Sequence, residues 1–219
     1  MKKALLLKAL IVIFAVLFID QFVKIWIKTH FFYGEHIHVL GISWFQIHFI
    51  ENNGMAFGME FAGNYGKIFL TIFRLIASSG IAYYLYYLIK KQANSFLIIT
   101  IALIFTGAIG NILDSMFYGM MFSESTGFDK AVFMPEGGGY SAFLYGRVVD
   151  MFYFPIINTT LPQWIPFIGG SSFEFFAPIF NVADSAITIG VFILLIFQKR
   201  LFKPKQAVED MPSIFEKEE

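Results

Sequence analysis

Four stretches of the chain are apolar for long enough to cross a bilayer, over about 5–27, 68–89, 96–118 and 177–197. About 20 residues suffice for the roughly 30 Å of hydrocarbon. Between them the pattern changes. From Phe31 to Phe61, Ile37, Val39, Ile42, Trp44, Phe45, Ile47, Phe49 and Ile50 interleave with His36, His38, Ser43, Gln46 and His48, and Gly41 and Gly54 punctuate the run. Alternation of this kind with β-branched and aromatic residues predicts short strands. The second long connection, 119–176, contains Gly137-Gly138-Gly139, read as a flexible turn because no lysine stands at the spacing of a phosphate loop. Its part from Phe122 to Tyr145 reads as a loop with room for a short amphipathic helix. In its later part Trp164, Phe167, Phe173, Phe175 and Phe176 suit a membrane interface, either as a substrate-contacting lid or as passive lipid contact.

Charge orients these segments. Lys2, Lys3 and Lys8, the Lys90-Lys91 pair, and Lys199, Arg200, Lys203 and Lys205 all fall on one side, which the positive-inside rule makes cytoplasmic. Both termini are then inside, and 29–66 and 119–176 lie outside. The expected fold is a polytopic α-helical membrane protein with four transmembrane helices, a small extracytoplasmic β-sheet and an outer loop insertion. It forms a single domain over 1–205, with a solvated cytoplasmic tail at 206–219. The first apolar run has no small-residue cleavage site after it, so it reads as a retained span rather than a signal peptide.

Composition agrees, with 57% hydrophobic and 15% charged residues and a mean hydropathy of +0.66, far from a soluble domain. A formal net charge of zero gives no reason to expect nucleic acid. No cysteine is present, which excludes disulfides, thiolate metal sites and a cysteine nucleophile. All four histidines lie in 29–66. His36 and His38 share a strand face and could ligate a metal, but without a carboxylate or cysteine at ligand spacing they read as plain polar positions.

Ionisable and amide side chains within the spans are costly and so mark function. They are Asp20, Gln21 and Lys24 in the first span, Arg74 in the second, Asn111 and Asp114 in the third, and Asn181 and Asp184 in the fourth. Each falls in the outer half of its span, and the inner halves are nearly pure hydrocarbon apart from Lys8 near the cytoplasmic end of the first. A transport pathway places polar groups near the midplane and toward both sides; this distribution favours a site open to the outer face. Asp20 and Lys24 are spaced for an i,i+4 ion pair, and Asn111 with Asp114, and Asn181 with Asp184, for i,i+3 hydrogen bonds. Gly107 and Gly110 permit close approach of another helix.

Five stretches in order resemble the bacterial lipoprotein signal peptidases, or signal peptidase II. They are Asp20-Gln21-Phe-Val-Lys24; Asn52-Asn-Gly54-Met-Ala-Phe57-Gly; Gly107-Ala-Ile-Gly110-Asn111-Ile-Leu-Asp114; Gly146-Arg147-Val-Val-Asp150-Met-Phe; and Phe180-Asn181-Val-Ala-Asp184-Ser. The resemblance implies a bacterial inner-membrane aspartic endopeptidase that removes the signal peptide from diacylglyceryl-modified prolipoproteins, before the lipidated cysteine. It implies Asp150 and Asp184 as the catalytic pair, and Asn52, Gly54, Asn111, Asp114 and Asn181 as supporting or substrate-contacting positions. Asp20 and Lys24 carry over as structural support. No metal or cofactor is implied, the partners are the prolipoprotein and membrane lipid, and a monomer is expected. Two features depart from the family pattern. Ser115 stands where the motif ends in arginine, with Arg147 or Arg74 as candidate replacement cations, and 119–145 is an insertion.

Paired carboxylates suit amide hydrolysis on physical grounds as well. Two adjacent carboxylates share a proton, one activating water while the other polarises the carbonyl and protonates the leaving nitrogen. The alternatives are a small proton-coupled transporter and a non-enzymatic membrane assembly protein. No His-Glu-x-x-His, and no serine in a recognisable triad motif, is present.

Overall fold

The computed structural model describes residues 1–53 and 63–202; Gly54 and the tail from 203 lie outside the described residues. Among these residues four helices have the length and apolarity to span a membrane. They are α1 (Lys2–His30), α2 (Gly63–Lys90), α3 (Ser95–Leu113) and α5 (Val182–Leu201). Beyond Leu113, α3 widens into a π-helical stretch, Asp114–Tyr118, and ends in the short α4, Gly119–Met121.

α3 is the hub. Over their apolar windows 56% of this span is buried, against 11–17% of the other three, so α3 is surrounded by helices while the others leave most of their apolar surface uncovered. Small residues make that possible. A Cβ on Gly110 would lie 2.7 Å from Asp20 Oδ2 and 3.1 Å from Ala183 Cβ, and one on Gly107 would collide with the Ala183 carbonyl. Both glycines thus let α1 and α5 reach the α3 backbone, as their spacing predicts. One apolar core, including Ala9, Leu88, Ile98, Ala102 and Leu201, fills the lysine-bearing end of the bundle.

The other end carries two antiparallel sheets. β1 (His36–His38), β2 (Gln46–Asn52) and β3 (Val148–Tyr153) form one, in the order β1-β2-β3. β4 (Ile157–Thr160) and β5 (Ser172–Phe175) form a hairpin. β2 pairs Ile50 with Asp150 and Asn52 with Val148. A second core joins this sheet to the helix ends through Ile27, Phe31, Phe49, Tyr118, Phe122, Ala131, Val149 and Met151.

Three expectations need correction. α5 starts at Val182 rather than 177, because Asn181 caps it, while Phe180 forms an antiparallel bridge to Phe152. The insertion contains no helix beyond Gly119–Met121; it folds back through a Phe122–Phe133 bridge and buries Phe122 and Ala131 in the second core. Within it, Gly139 packs against the Gly119 carbonyl, where a Cβ has no room, so that glycine marks a close approach as well as a turn. The aromatic stretch after Pro155 makes a second sheet, which alternation alone does not signal.

Candidate functional site

The bridge between β3 and the start of α5 creates the site. Phe152 N–H donates to Phe180 O at 2.8 Å and Phe180 N–H returns a bond to Phe152 O at 3.0 Å. That register sets Asp150 on β3 beside Asn181 and Asp184 at the N-terminus of α5. Asp150 is buried, and Asp184 is half-buried.

Two asparagines hold the carboxylates. Asn181 Nδ2 donates to Asp150 Oδ1 at 2.7 Å, and Asn111 Nδ2 donates to Asp184 Oδ1 at 2.7 Å. Their orientations follow from their other partners. Asn181 Oδ1 accepts the Asp184 backbone N–H at 2.9 Å, and Asn111 Oδ1 accepts from Lys24 Nζ at 2.9 Å. A backbone N–H and an ammonium only donate, so each amide must turn its NH2 toward a carboxylate. Asn181 and Asp184 also form a capping box, with the Asn181 N–H donating to Asp184 Oδ2 at 3.3 Å. Asn52 Nδ2 reaches Asp150 Oδ2 at 3.4 Å.

The i,i+3 reading holds for Asn181 with Asp184 but not for Asn111 with Asp114. Lys24 occupies the Asn111 oxygen, and Asp114 faces α1 instead. Lys24, fully buried, lies 3.0 Å from Asp20 Oδ2 and 2.8 Å from Asp114 Oδ2. Gln21 Nε2 donates to Asp114 Oδ1 at 2.9 Å, and its oxygen accepts from Tyr118 OH at 3.1 Å. Asp114 Oδ2 also accepts the Val149 N–H at 3.3 Å, and Asp20 Oδ1 the Ala183 N–H at 2.8 Å. One buried polar layer therefore bonds directly to the backbones that carry Asp150 and Asp184. Among the described residues no buried side-chain N or O lacks a partner, as a low-dielectric site requires.

Burial pushes the Asp150 carboxyl up to about 7, and the neighbouring Asp184 charge adds to the rise; Lys24 and the amides of Asn181 and Asn52 oppose it. Two like charges this close do not both ionise cheaply.

The cations separate. Arg147 turns to Glu51 Oε2 at 3.1 Å and Glu124 Oε1 at 2.6 Å, rather than to the carboxylate pair, and these partners raise its pKa against the effect of burial. Arg74 on α2 interacts electrostatically with Asp184 and Asp150. Ser115 is buried and donates to Asn111 O at 3.0 Å, while its carbonyl accepts the Gly146 N–H at 2.8 Å. The position of the family arginine is thus packed beneath the start of β3.

A second ionic cluster escapes the sequence reading. Lys28, fully buried, pairs with Glu51 and donates to Ser125 Oγ at 2.8 Å; its Nζ lies 5.0 Å from the Tyr140 ring centroid. Tyr140 OH accepts the Arg147 N–H at 2.6 Å, and burial pushes this phenol up. Lys67 Nζ donates to Tyr145 O at 2.7 Å. A signal existed for Lys28, which continues the i,i+4 stripe of Asp20 and Lys24. None existed for Glu124 and Ser125, whose partners are 23 to 97 positions away. The histidines stay outside the site. His36 and His38 are exposed on β1, and His36 pairs across the sheet with His48, whose pKa burial lowers, with the His36 charge adding.

Fold and site together define a four-span membrane protein with two aspartates brought to one amide-lined position at one end of its helices. A model of the family described as Signal peptidase (SPase) II matches residues 12–200. The lipoprotein signal peptidase of Porphyromonas gingivalis is 48% identical over 193 residues, covering 88% of this chain and 82% of that protein. That of Amoebophilus asiaticus is 38% identical over 185 residues, covering 83% and 73%. Two solved bacterial membrane enzymes superpose with TM-scores of 0.55 and 0.56, at 25% and 27% identity, covering 92% and 87% of this chain and 94% and 91% of theirs. The chain belongs to the signal peptidase II family and is a membrane protease.

Proposed function

We propose that this protein removes the signal peptide from diacylglyceryl-modified prolipoproteins by aspartic catalysis, with Asp150 and Asp184 as the catalytic pair. The observation that carries this reading is the pairing itself. Carboxylates 34 positions apart are held by Asn181 and Asn111, and burial together with the Asp184 charge keeps Asp150 protonated near neutral pH.

The roles divide by environment. Asp184 sits at the third residue of α5, where the helix N-terminus favours an anion, and it is half-buried where Asp150 is buried. It takes the proton of the attacking water. Asp150 donates its proton toward the scissile carbonyl oxygen and, as the tetrahedral intermediate collapses, the leaving nitrogen receives a proton from the pair. Asn111, Asn181 and Asn52 hold the carboxylates, and Asp114, Asp20 and Lys24 hold Asn111 and the backbones. Arg147 acts at a distance by bracing β3, and Gly54 is assigned to substrate contact by the family motif alone.

The uncompensated lysines at the far end favour a cytoplasmic position for that end and an outer position for the site. A substrate anchored by its lipid in the outer leaflet then meets the carboxylates from the membrane side, and the exposed apolar hairpin with Trp164 and Phe167 rests on that leaflet. The reading places the protein in the bacterial cytoplasmic membrane, acting as a monomer.

The test is cleavage of a lipidated prolipoprotein peptide by purified wild type, Asp150→Asn and Asp184→Asn. Wild type is expected to cleave and both variants to lose activity; cleavage surviving either substitution would refute the assignment.

A further inference from the structure

A cavity of about 1070 Å³ opens at the opposite end of the bundle, where α1 begins, α2 ends, α3 begins and α5 ends. Leu5, Leu88 and Leu97 line its wall, and Lys8, Lys91 and Arg200 stand around it; no Asp or Glu is among its lining residues. Among the described residues none of these three cations has a carboxylate partner, since every ion pair lies at the other end. Among the described residues Lys8 donates to Ser95 Oγ at 3.4 Å, and Lys91 Nζ lies 5.9 Å from the Tyr87 ring centroid.

This is the converse of the catalytic end, where Lys24, Lys28 and Arg147 are each matched by carboxylates. Three uncompensated cations above a leucine wall form an amphiphile-shaped site. A phosphodiester answers the cations, and an acyl chain answers the leucines. Basic pockets between spanning helices recognise acidic headgroups in this way, and the volume suits a small-molecule site. We propose that this cavity binds one anionic phospholipid, its phosphate held by Lys8, Lys91 and Arg200 and its acyl chain along Leu5, Leu88 and Leu97. The site is separate from the carboxylate pair and does not rest on the catalytic reading.

The experiment uses the full chain in lipid nanodiscs containing phosphatidylglycerol and phosphatidylcholine, with co-purifying lipid read by native mass spectrometry. Wild type is expected to retain phosphatidylglycerol selectively. The triple variant Lys8→Gln, Lys91→Gln, Arg200→Gln should lose at least about tenfold in retention through its three lost charge contacts, while still cleaving substrate. Equal retention by both proteins overturns the proposal. A chain ending at Phe202 distinguishes lipid from the acidic residues beyond it. Unchanged selectivity supports the lipid, whereas selectivity that appears only after truncation overturns it. Should the triple variant fail to fold, Lys91→Gln must weaken retention and Lys91→Arg must preserve it; equal retention by these two counts against the proposal.

Discussion

Asn111 serves Asp184 because two donors, Lys24 Nζ at 2.9 Å and Asn181 Nδ2 at 3.1 Å, claim its oxygen. Replacing Lys24 by Met leaves the Asn111 oxygen with Asn181 Nδ2 alone, and it also leaves Asp20 and Asp114 buried together without their cation. Removing one partner of a buried charge pair costs about 3–5 kcal/mol, so Lys24→Met should lower the thermal midpoint measured in detergent. Asn111→Asp retains shape but removes the donor. It should reduce kcat by roughly 10²-fold or more, on the scale of a positioned acid–base group, with a far smaller effect on KM. A variant that changed KM alone would argue against Asn111 acting through Asp184.

Asp150 carries the pH dependence. Its folded pKa of about 7 stands above the ordinary 3.8, so the folded protein keeps a proton that the unfolded chain releases. The stability contribution of this group therefore declines as pH rises from about 4 to about 7. Asp150→Asn, which stays neutral, should be the more thermostable protein above pH 7 although inactive. The pair also loses its shared proton on that side. The expected kcat/KM profile falls about tenfold per pH unit on its alkaline limb, with an apparent pKa near 7 that belongs to the pair. A flat profile to pH 9 would exclude a protonated carboxyl as the acid.

At the scale of elements, β3 is held, beyond its ladder with β2 and the Asp114 bond, by a first tie, the Phe152–Phe180 bridge toward α5, and a second, from Arg147 to Glu51 of β2 and Glu124 of the insertion. The two ends of this second tie differ in weight. Glu51 is buried and shared with buried Lys28, whereas the Arg147 side chain is 32% exposed. Glu51→Gln strands Lys28 and should cost about 3–5 kcal/mol; Arg147→Gln leaves Lys28 with its partner and should cost about 1 kcal/mol or less. Chemical denaturation of the two variants checks that order. The same elements divide the legible from the illegible. The spans, the strands of 36–52 and the small-residue face of α3 could be read because periodicity and residue size are local properties. The start of α5 was obscured by apolar residues from Ala177 onward, although Asn181-x-x-Asp184 is itself a capping pattern and Pro178 a plausible break. The Glu124 and Ser125 contacts were not legible, because a loop joins distant partners without any repeat to announce it. Nor was the Asp150–Asp184 pairing, which depends on a bridge between two segments that sequence shows only as apolar. The motifs raised Asp150 to notice, and the bridge supplies the physical reason.

For the whole molecule the decisive asymmetry is between compensated and uncompensated charge. The end with the carboxylate pair contains Lys24, Lys28 and Arg147, each paired with carboxylates. The end with Lys8, Lys90, Lys91, Lys199 and Arg200 has none among the described residues. Paired charges contribute little to orientation, whereas free lysines and arginines near span ends set it, so the second end should face the cytoplasm. The absence of cysteine makes this directly measurable. Phe128 on the insertion is 90% exposed, and Lys91 is exposed at the end of α2. In intact cells a membrane-impermeant maleimide should label Phe128→Cys and spare Lys91→Cys, and permeabilisation should make both reactive. Labelling of Lys91→Cys from outside would invert the topology and with it the leaflet from which the substrate enters. The hairpin supplies an independent check, since Trp164 and Phe167 project from the carboxylate-bearing end with 80% exposure for the tryptophan. Trp164→Ser with Phe167→Ser should raise KM for a lipidated peptide in bilayers and leave it unchanged for the same peptide in detergent. A lid that grips the substrate directly would raise KM in both, so the comparison separates membrane anchoring from substrate contact.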